Sequence, residues 1–149
     1  DAIHASLSVK QSYIAQDEFD TGKRNLFNYG HCFGHALETA SNYLVPHGQA
    51  VTIGMIFANF VSYERGLISA EFLERLNVLM KQNLSVDLCA FYFESEKLLE
   101  AMKNDKKRVG PGLVIVMPGS DHVDAIKVVD FTESEFTKAL KNTMELLSV

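Results

Sequence analysis

Three histidines beside glycines are the residues of this sequence whose types and spacing could support catalysis. His31 and His35 stand four apart in "NYGHCFGHALE", each directly after a glycine, and His47 follows in "VPHGQAVTIGM". Residues four apart share one face of a helix, so we expect the first two rings to point the same way. Neutral imidazole is a common zinc ligand, and catalytic zinc sites usually take three ligands from the protein. The cluster is typical of a metal site or of hydrogen-bonded core histidines, and spacing alone does not distinguish the two.

The residues around this cluster exclude two kinds of hydrolase. A metalloprotease of the His-Glu-x-x-His type requires glutamate directly after the first histidine, and Cys32 occupies that position. A helical phosphohydrolase would need a histidine directly followed by aspartate, and the sequence contains no such pair. His4 and His122 lack comparable neighbours, so we interpret them as structural, and Cys32 as a small buried thiol.

The glycines of this stretch have an interpretation of their own. Gly30 and Gly34 precede the two histidines. Because glycine has no Cβ, these positions would let a neighbouring backbone, a cofactor or a ligand approach closely.

Basic residues stand at the ends of the predicted segments. Lys10 and Arg24 precede the histidine stretch, and "NDKKRVGPG" places three more basic residues beside glycines. At a helix end such side chains could fold over an anion. The pattern alone favours a solvated run of charge, which is the more common role of such a sequence.

Composition limits the function classes further. The 149 residues suffice for one domain with a core, and the net charge of -5 gives no indication of nucleic acid or an anionic membrane as partner. Two cysteines indicate a reducing compartment rather than a disulfide scaffold, and we expect a cytoplasmic location. No apolar run reaches transmembrane length, and no signal peptide is recognisable. The start at Asp1, inside a helical pattern, leads us to expect a fragment of a longer protein.

Helical spacing of apolar residues accounts for most of the chain. We predict a mainly α fold, a helical bundle with a small β-hairpin, as a single domain over residues 1–149. The helix from His47 to about Glu64 is apolar nearly all round, which places it at the centre of the bundle, and Gly66 is predicted to end it. The other predicted helices cover residues 1–16, 30–43 and 95–105, a segment capped by Ser69, and a segment after Thr132.

Local signals mark the last helix and the hairpin before it. Thr132 and Glu135 form a capping box, and Phe131 with Phe136 occupies the positions of a hydrophobic staple. The β-rich runs "GPGLVIVMPG" and "HVDAIKVVD" are joined by "PGSD". They predict a hairpin at one edge of the domain.

Three stretches of the sequence resemble 3-dehydroquinate synthase, a family of the sugar phosphate cyclases. They are "VKQSYIAQDEFDTGKRNLFNYGHCFGHALE", "HGQAVTIGM" and "NDKKRVGPGLVIVMPG". The resemblance covers the whole chain, but only the C-terminal helical part of such an enzyme. The positions that match the family pattern in order are Lys10, Asp17, Glu18, Asp20, Gly22, Arg24, Asn28, Gly30, His31, Gly34, His35, Ala36, Glu38, His47, Gly48, Ala50, Asp105, Lys106 and Lys107.

The resemblance implies an enzyme of the shikimate pathway. Such an enzyme converts a seven-carbon 2-keto-3-deoxy acid phosphate (DAHP) to 3-dehydroquinate, with release of phosphate. The resemblance also implies NAD, a divalent zinc or cobalt ion, and a homodimer when the protein is full length. In this family the NAD-binding domain and a third metal ligand, a glutamate, lie upstream and are absent from these residues. We therefore expect the isolated chain to be inactive.

The resemblance further implies a role for each matching site residue. His31 and His47 are metal ligands in this interpretation. His35 and Asn28 contact the substrate phosphate. Together with Asp20, which stands where the family has an active-site glutamate, they are the candidate catalytic residues.

The basic residues receive substrate-binding roles from the same resemblance. Lys10 and Arg24 would hold the substrate carboxylate, since arginine makes planar two-point contacts with carboxylates. Lys106 and Lys107 are the candidates for phosphate binding, and we favour Lys106.

Three positions depart from the family pattern. Cys32 replaces a usual threonine, Tyr29 a phenylalanine or leucine, and Gln49 the glutamate of His-Gly-Glu. The missing charge at Gln49 is expected to alter the surroundings of the neighbouring His47.

Other functions stay open at this point. They are a related cyclase of the inosose or valiolone type, a metal-dependent polyol or alcohol dehydrogenase, and a non-catalytic helical module. Inosose and valiolone substrates lack a carboxylate, so the presence of both Lys10 and Arg24 favours the keto acid. The same basic residues, with the Asp-Lys-Lys run, argue against a dehydrogenase.

Overall fold

The computed structural model describes residues 1–16, 23–104, 113–122 and 124–149. In this part of the chain there are six α-helices, one antiparallel hairpin and two short 3₁₀ helices, Lys23–Asn28 and Ala90–Phe93. None of the described helices is long and apolar enough to cross a membrane. The elements are α1 (Ala2–Gln16), α2 (His31–Ala40), α3 (His47–Glu64), α4 (Ala70–Gln82), α5 (Ser95–Lys103), β1 (Leu113–Pro118), β2 (Ala125–Phe131) and α6 (Glu133–Leu147).

Helix α3 is the centre of the domain, as its apolar sequence predicts. It packs against α2, α4, α6 and β1, and Ile53, Ile56 and Phe57 are fully buried. The ring of Phe57 stacks on Phe33 of α2, with centroids 4.2 Å apart, and lies near Phe136 of α6. A helix that is apolar nearly all round needs neighbours on most of its faces, and these four elements supply them.

The predicted helix caps are confirmed. The Ser69 side chain accepts a hydrogen bond from the backbone N–H of Phe72 at the start of α4. Gly66 follows the end of α3 with a φ of 70°, a conformation that favours glycine. The Thr132 and Glu135 capping box is complete at the start of α6. Each cap supplies partners for backbone groups that the helix itself leaves unpaired.

Helix α2 ends at Ala40, three residues before the predicted end. Asn42 and Tyr43 take positive φ values of 51° and 61°. The N–H of Tyr43 then donates to the carbonyl of Glu38 over 2.7 Å, and the N–H of Asn42 to that of Thr39 over 3.1 Å. This is the hydrogen-bond pattern with which glycine usually closes a helix. Asn42 takes the place of that glycine, since asparagine tolerates the left-handed conformation better than other residues with a side chain.

The hairpin is confirmed, but its first strand belongs to the core rather than to an edge. Leu113 pairs with Phe131, and Ile115 with Val128. All of β1 except Val114 is buried, and the strand packs against α3. The buried hydroxyl of Ser62 in α3 also donates to the carbonyl of Pro118 over 2.7 Å. The side chains of β1 are thus part of the same core as the helices.

Arg65 connects the end of α3 to the start of α6. Its Nε lies 2.5 Å from Oε1 of Glu135, its Nη2 lies 3.1 Å from Oε2, and its Nη1 lies 3.0 Å from Oδ1 of Asp130. Partial burial acts to raise the pKa of Glu135, but hydrogen bonds from Arg65 and Thr132 outweigh it, and the net pKa is lowered. Glu135 therefore favours the folded state only while it is ionised.

We expect the free energy of unfolding to fall in acid because of Glu135. The contribution is present above the ordinary pKa of 4.5 and is lost as pH falls through the lower pKa of the folded state. Urea unfolding at about pH 6 and about pH 3 should show a loss of stability in acid that is smaller for Glu135→Gln, by roughly 1 kcal/mol, because an amide does not take up a proton in this range. Glutamine also retains the capping box. Glu145→Gln, in an exposed pair with Lys141, is the control. An acid loss equal in wild type and Glu135→Gln would contradict the expectation.

Candidate metal centre

The backbones of α2 and α3 touch at three glycines. A Cβ on Gly54 would lie 1.9 Å from the carbonyl oxygen of Gly30, and one on Gly34 would lie 3.0 Å from the Cα of Val51. Gly30 also has a φ of 77° at the start of α2, so it is needed both for conformation and for space. Of the neighbours expected from the sequence, it is therefore the backbone of α3 that approaches Gly30 and Gly34.

This close contact brings the three histidines together. The ring centroids of His31 and His35 are 5.6 Å apart, those of His31 and His47 are 5.6 Å apart, and those of His35 and His47 are 5.7 Å apart. His31 and His35 face the site from the first turns of α2, and His47 is the first residue of α3. The three histidines are therefore neighbours in the fold, and their role as one site stays a prediction.

Two of these rings are held through the same nitrogen. Nδ1 of His31 lies 3.2 Å from the carbonyl oxygen of Tyr29, and Nδ1 of His47 lies 3.0 Å from Oε2 of Glu38. Both neighbours are acceptors, so each neutral ring carries its proton on Nδ1 and its lone pair on Nε2. Metal-binding histidines are usually held in this way, with the second nitrogen donating to a carbonyl or a carboxylate. The donor set therefore fits a divalent metal ion.

A second grouping of donors shares this site. One ligand atom from each of His35, Glu38 and His47 lies within 4.8 Å of the others. The site thus offers two sets that include His47, one with His31 and one with His35 and Glu38.

A buried polar chain supports the segment before His31. The hydroxyl of Tyr29 donates to the side-chain oxygen of Asn59, whose amide nitrogen donates to Asn77 over 2.9 Å. Both asparagines are buried. Burial raises the pKa of Tyr29 although the bond to Asn59 acts to lower it, so the phenol stays protonated and acts as donor. These hydrogen bonds explain why a tyrosine stands at a position where the family pattern has phenylalanine or leucine. They also link α4, through α3, to the start of α2.

The structure describes only some of the other residues that were predicted to bind substrate or to act in catalysis. Asn28 is half-buried at the end of the 3₁₀ helix, three residues before His31. Lys10 is exposed on α1, and none of the described contacts joins it to the histidines. Asp20, Lys106 and Lys107 lie outside the described residues, as does the side chain of Arg24. Their predicted roles stay predictions.

Gln49 contacts a loop rather than His47. Its amide nitrogen donates to the carbonyl of Asn83 over 3.1 Å, and its oxygen accepts from the N–H of Ser85 over 2.8 Å. These two bonds tie the first turn of α3 to the segment after α4. The glutamine therefore stabilises that segment, and its amide is not engaged by the predicted metal ligand.

The chain resembles known proteins in sequence. Residues 1–108 match the family described as 3-dehydroquinate synthase C-terminal. The 3-dehydroquinate synthase of Corynebacterium diphtheriae is 35% identical over 139 residues, 92% of this chain and 38% of that protein. The enzyme of the same name from Dictyoglomus turgidum is 35% identical over 145 residues, 93% of this chain and 39% of its own length. The chain thus spans well under half of these relatives.

Two solved structures share the fold. One is 2-epi-5-epi-valiolone synthase from Streptomyces hygroscopicus subsp. jinggangensis with NAD⁺ and Zn²⁺ bound, at a TM-score of 0.70 and 24% identity, covering 89% of this chain and 36% of that one. The other is 2-deoxy-scyllo-inosose synthase complexed with carbaglucose-6-phosphate, NAD⁺ and Co²⁺, at a TM-score of 0.72 and 19% identity, covering 91% and 39%. At these identities the likeness shows the fold, a mainly helical domain with a hairpin.

We expect Gly54→Ala to lower the free energy of unfolding by roughly 3 kcal/mol, because its Cβ would meet backbone rather than a movable side chain. Gly48→Ala is the matched control, since a Cβ there meets nothing within 4 Å. That variant should be unchanged, or more stable by up to about 1 kcal/mol from helix propensity. Chemical denaturation measures both, and equal stabilities would show that the helices are not in backbone contact.

We expect Gln49→Glu to lower the free energy of unfolding by about 1 kcal/mol and to leave zinc affinity unchanged, because a carboxylate cannot donate to the carbonyl of Asn83. Gln11→Glu, the same change on exposed α1, controls for the added charge. Thermal unfolding and a zinc titration are the measurements. A changed zinc affinity at unchanged stability would restore the expected influence on His47.

Proposed function

The chain belongs to the 3-dehydroquinate synthase family, and from that premise we propose that it forms the metal- and substrate-binding part of a 3-dehydroquinate synthase. The reaction would convert the seven-carbon keto-acid phosphate to 3-dehydroquinate with release of phosphate. The observation that carries the proposal is the histidine triangle, in which His31 and His47 are both held through Nδ1. The sequence relatives of that name, at 35% identity over most of the chain, support it.

His31 and His47 would hold a divalent ion, with zinc or cobalt as the proposed metal. Their rings approach from two helices at a centroid distance of 5.6 Å, which suits convergence of two Nε2 atoms on one ion. When bound, the metal would polarise the substrate hydroxyl that is oxidised, while NAD would take up and return the hydride. The Zn²⁺ and Co²⁺ in the two structural relatives, each beside NAD⁺, support this choice of cofactors.

His35 would bind the substrate phosphate beside the metal. It lies one helical turn beyond His31, about 6 Å along the sequence direction of α2, and its ring stacks against that of His47. Asn28, two residues before the glycine that starts α2, would supply an amide donor to the same phosphate. Lys106, or its neighbour Lys107, would add positive charge to this phosphate site.

The carboxylate of the substrate would bind Lys10 and Arg24. Two cations at one carboxylate favour a keto acid over a sugar phosphate that has no carboxylate, because a substrate without the acid would leave both charges unpaired. Asp20 is the third proposed polar residue of this region, in the place of a family glutamate. The homodimer, the cytoplasmic location and the inactivity of the isolated chain stay predictions.

Other cyclases are the second candidate function. The two solved structures that share the fold are a 2-epi-5-epi-valiolone synthase and a 2-deoxy-scyllo-inosose synthase complexed with carbaglucose-6-phosphate, but they are only 24% and 19% identical to this chain. A substrate comparison separates the candidates, since Lys10 and Arg24 have a function only with the keto acid. A preference for a carboxylate-free sugar phosphate would favour an inosose or valiolone type of cyclase.

We expect alanine variants to separate the histidines by role in protein that carries the NAD-binding domain. His31→Ala and His47→Ala should lose bound metal, because each removes a ligand. His35→Ala should keep the metal and lose turnover of the keto-acid phosphate by at least about 100-fold, as for a lost charge-assisted contact to phosphate. Elemental analysis and a phosphate-release assay are the measurements.

His4→Ala is the control for these variants, because His4 is an exposed histidine on α1. It should keep both metal and turnover. Metal lost from His35→Ala but retained in His31→Ala would assign the ion to the group of His35, Glu38 and His47 instead.

A further inference from the structure

We infer that Glu38 is a positioning residue of this centre, which holds His47 in the tautomer and orientation that present Nε2 to a metal. The inference rests on the proposed function, in which His47 is a ligand. It assigns a role to a residue that sequence comparison marks only as part of a motif. The contact that carries it is the 3.0 Å distance from Oε2 of Glu38 to Nδ1 of His47.

The two partners differ strongly in exposure. The side chain of His47 is 56% exposed, whereas that of Glu38 is only 14% exposed. The rings of His31 and His35 pack against this exposed imidazole, but ring packing does not select which nitrogen carries the proton. The hydrogen bond to the more buried carboxylate of Glu38 does select it.

The end of α2 holds Glu38 in place. Its carbonyl accepts hydrogen bonds from the N–H of Tyr43 over 2.7 Å and from the hydroxyl of Ser41 over 3.1 Å. The same turn returns the chain to Pro46, where α3 begins. The carboxylate thus lies beside the first turn of α3, whose unpaired N–H groups form the positive end of the helix dipole. The turn thus fixes the backbone of Glu38 where its carboxylate reaches Nδ1 of His47.

His31, the other proposed ligand, has a different kind of hydrogen-bond partner. His31 lies against the neutral backbone carbonyl of Tyr29, whereas His47 lies against a charged side chain. A carboxylate partner also raises the basicity of the coordinating nitrogen, which a carbonyl does more weakly. Removal of the Glu38 carboxylate should therefore affect His47 and leave His31 as it is.

The competing role is direct coordination by Glu38. Its oxygen belongs to the group of ligand atoms within 4.8 Å of one another, so distance alone permits it. The two roles use different properties of the side chain. A positioning residue needs an acceptor for the Nδ1 proton, which an amide also provides, while a ligand needs the negative charge.

The test uses ¹⁵N-histidine labelling of this chain, with the tautomer of each ring measured by NMR in metal-free protein at a pH where imidazole is neutral. In wild type we expect the Nδ1–H form for His47. Glu38→Ala should move His47 towards the Nε2–H form, while His31 keeps Nδ1–H and serves as the internal control. Glu38→Gln should keep the Nδ1–H form, because its amide oxygen still accepts the bond.

Zinc affinity, measured with a competing chelator, gives the second readout. We expect Glu38→Ala to weaken binding by about 10- to 100-fold and Glu38→Gln by only a few-fold. An unchanged His47 tautomer in Glu38→Ala would overturn the inference. Equal losses of zinc affinity in the two variants, with the tautomer retained in Glu38→Gln, would overturn it in favour of direct coordination.

Failure of the proposed function would look different. In that case His31→Ala would bind zinc as tightly as wild type, whatever the result at Glu38. The tautomer of His47 would still report on its contact with the carboxylate, because it is measured without metal. If Glu38→Ala does not fold, the Glu38→Gln and wild-type proteins still give the tautomer and affinity comparison that decides between positioning and coordination.

Discussion

The structure depends on the backbone contact between α2 and α3. At most helix crossings side chains keep the axes 8–10 Å apart, but here glycines at 30, 34 and 54 let one backbone rest on the other. The histidines are attached to these two helices at the point of contact, so their mutual distances follow from the crossing itself. In the core, the ring of Phe33 in α2 stacks on Phe57 in α3, and Phe136 of α6 packs beside Phe57 at a tilt.

Much of the fold was predictable because its signals are local. The caps at Ser69, Gly66 and Thr132 act through hydrogen bonds within three or four residues, and all three occur as expected. The end of α2 was placed too late, because Asn42 is a weaker stop signal than glycine and nothing in the sequence indicates the positive φ of Tyr43. The burial of β1 also escaped prediction, since a short apolar run has the same composition at an edge and in a core.

At the candidate site, the residue types and their spacing indicated which histidines lie together, but the sequence did not indicate the tertiary contacts of the surrounding residues. The spacing of His31, His35 and His47 indicated a shared location, and the structure brings them together. The partner of Gly30, however, is Gly54, and nothing in the sequence around Gly54 shows which helix will cross there. The contacts of Glu38 and Gln49 are likewise tertiary, because each joins segments that are adjacent only after folding.

The buried chain from Tyr29 through Asn59 to Asn77 has a consequence for the uniqueness of the fold. A helix that is apolar on every side, like α3, could slide or rotate against its neighbours at little cost in apolar burial. A slide by one turn, about 5.4 Å, would leave the amide of Asn59 without partners in a dry interior, at a cost of several kcal/mol. The hydrogen bonds of this amide thus fix the register of α3 against α4 and against the start of α2. Its value lies less in stabilising the native arrangement than in making every shifted one unstable.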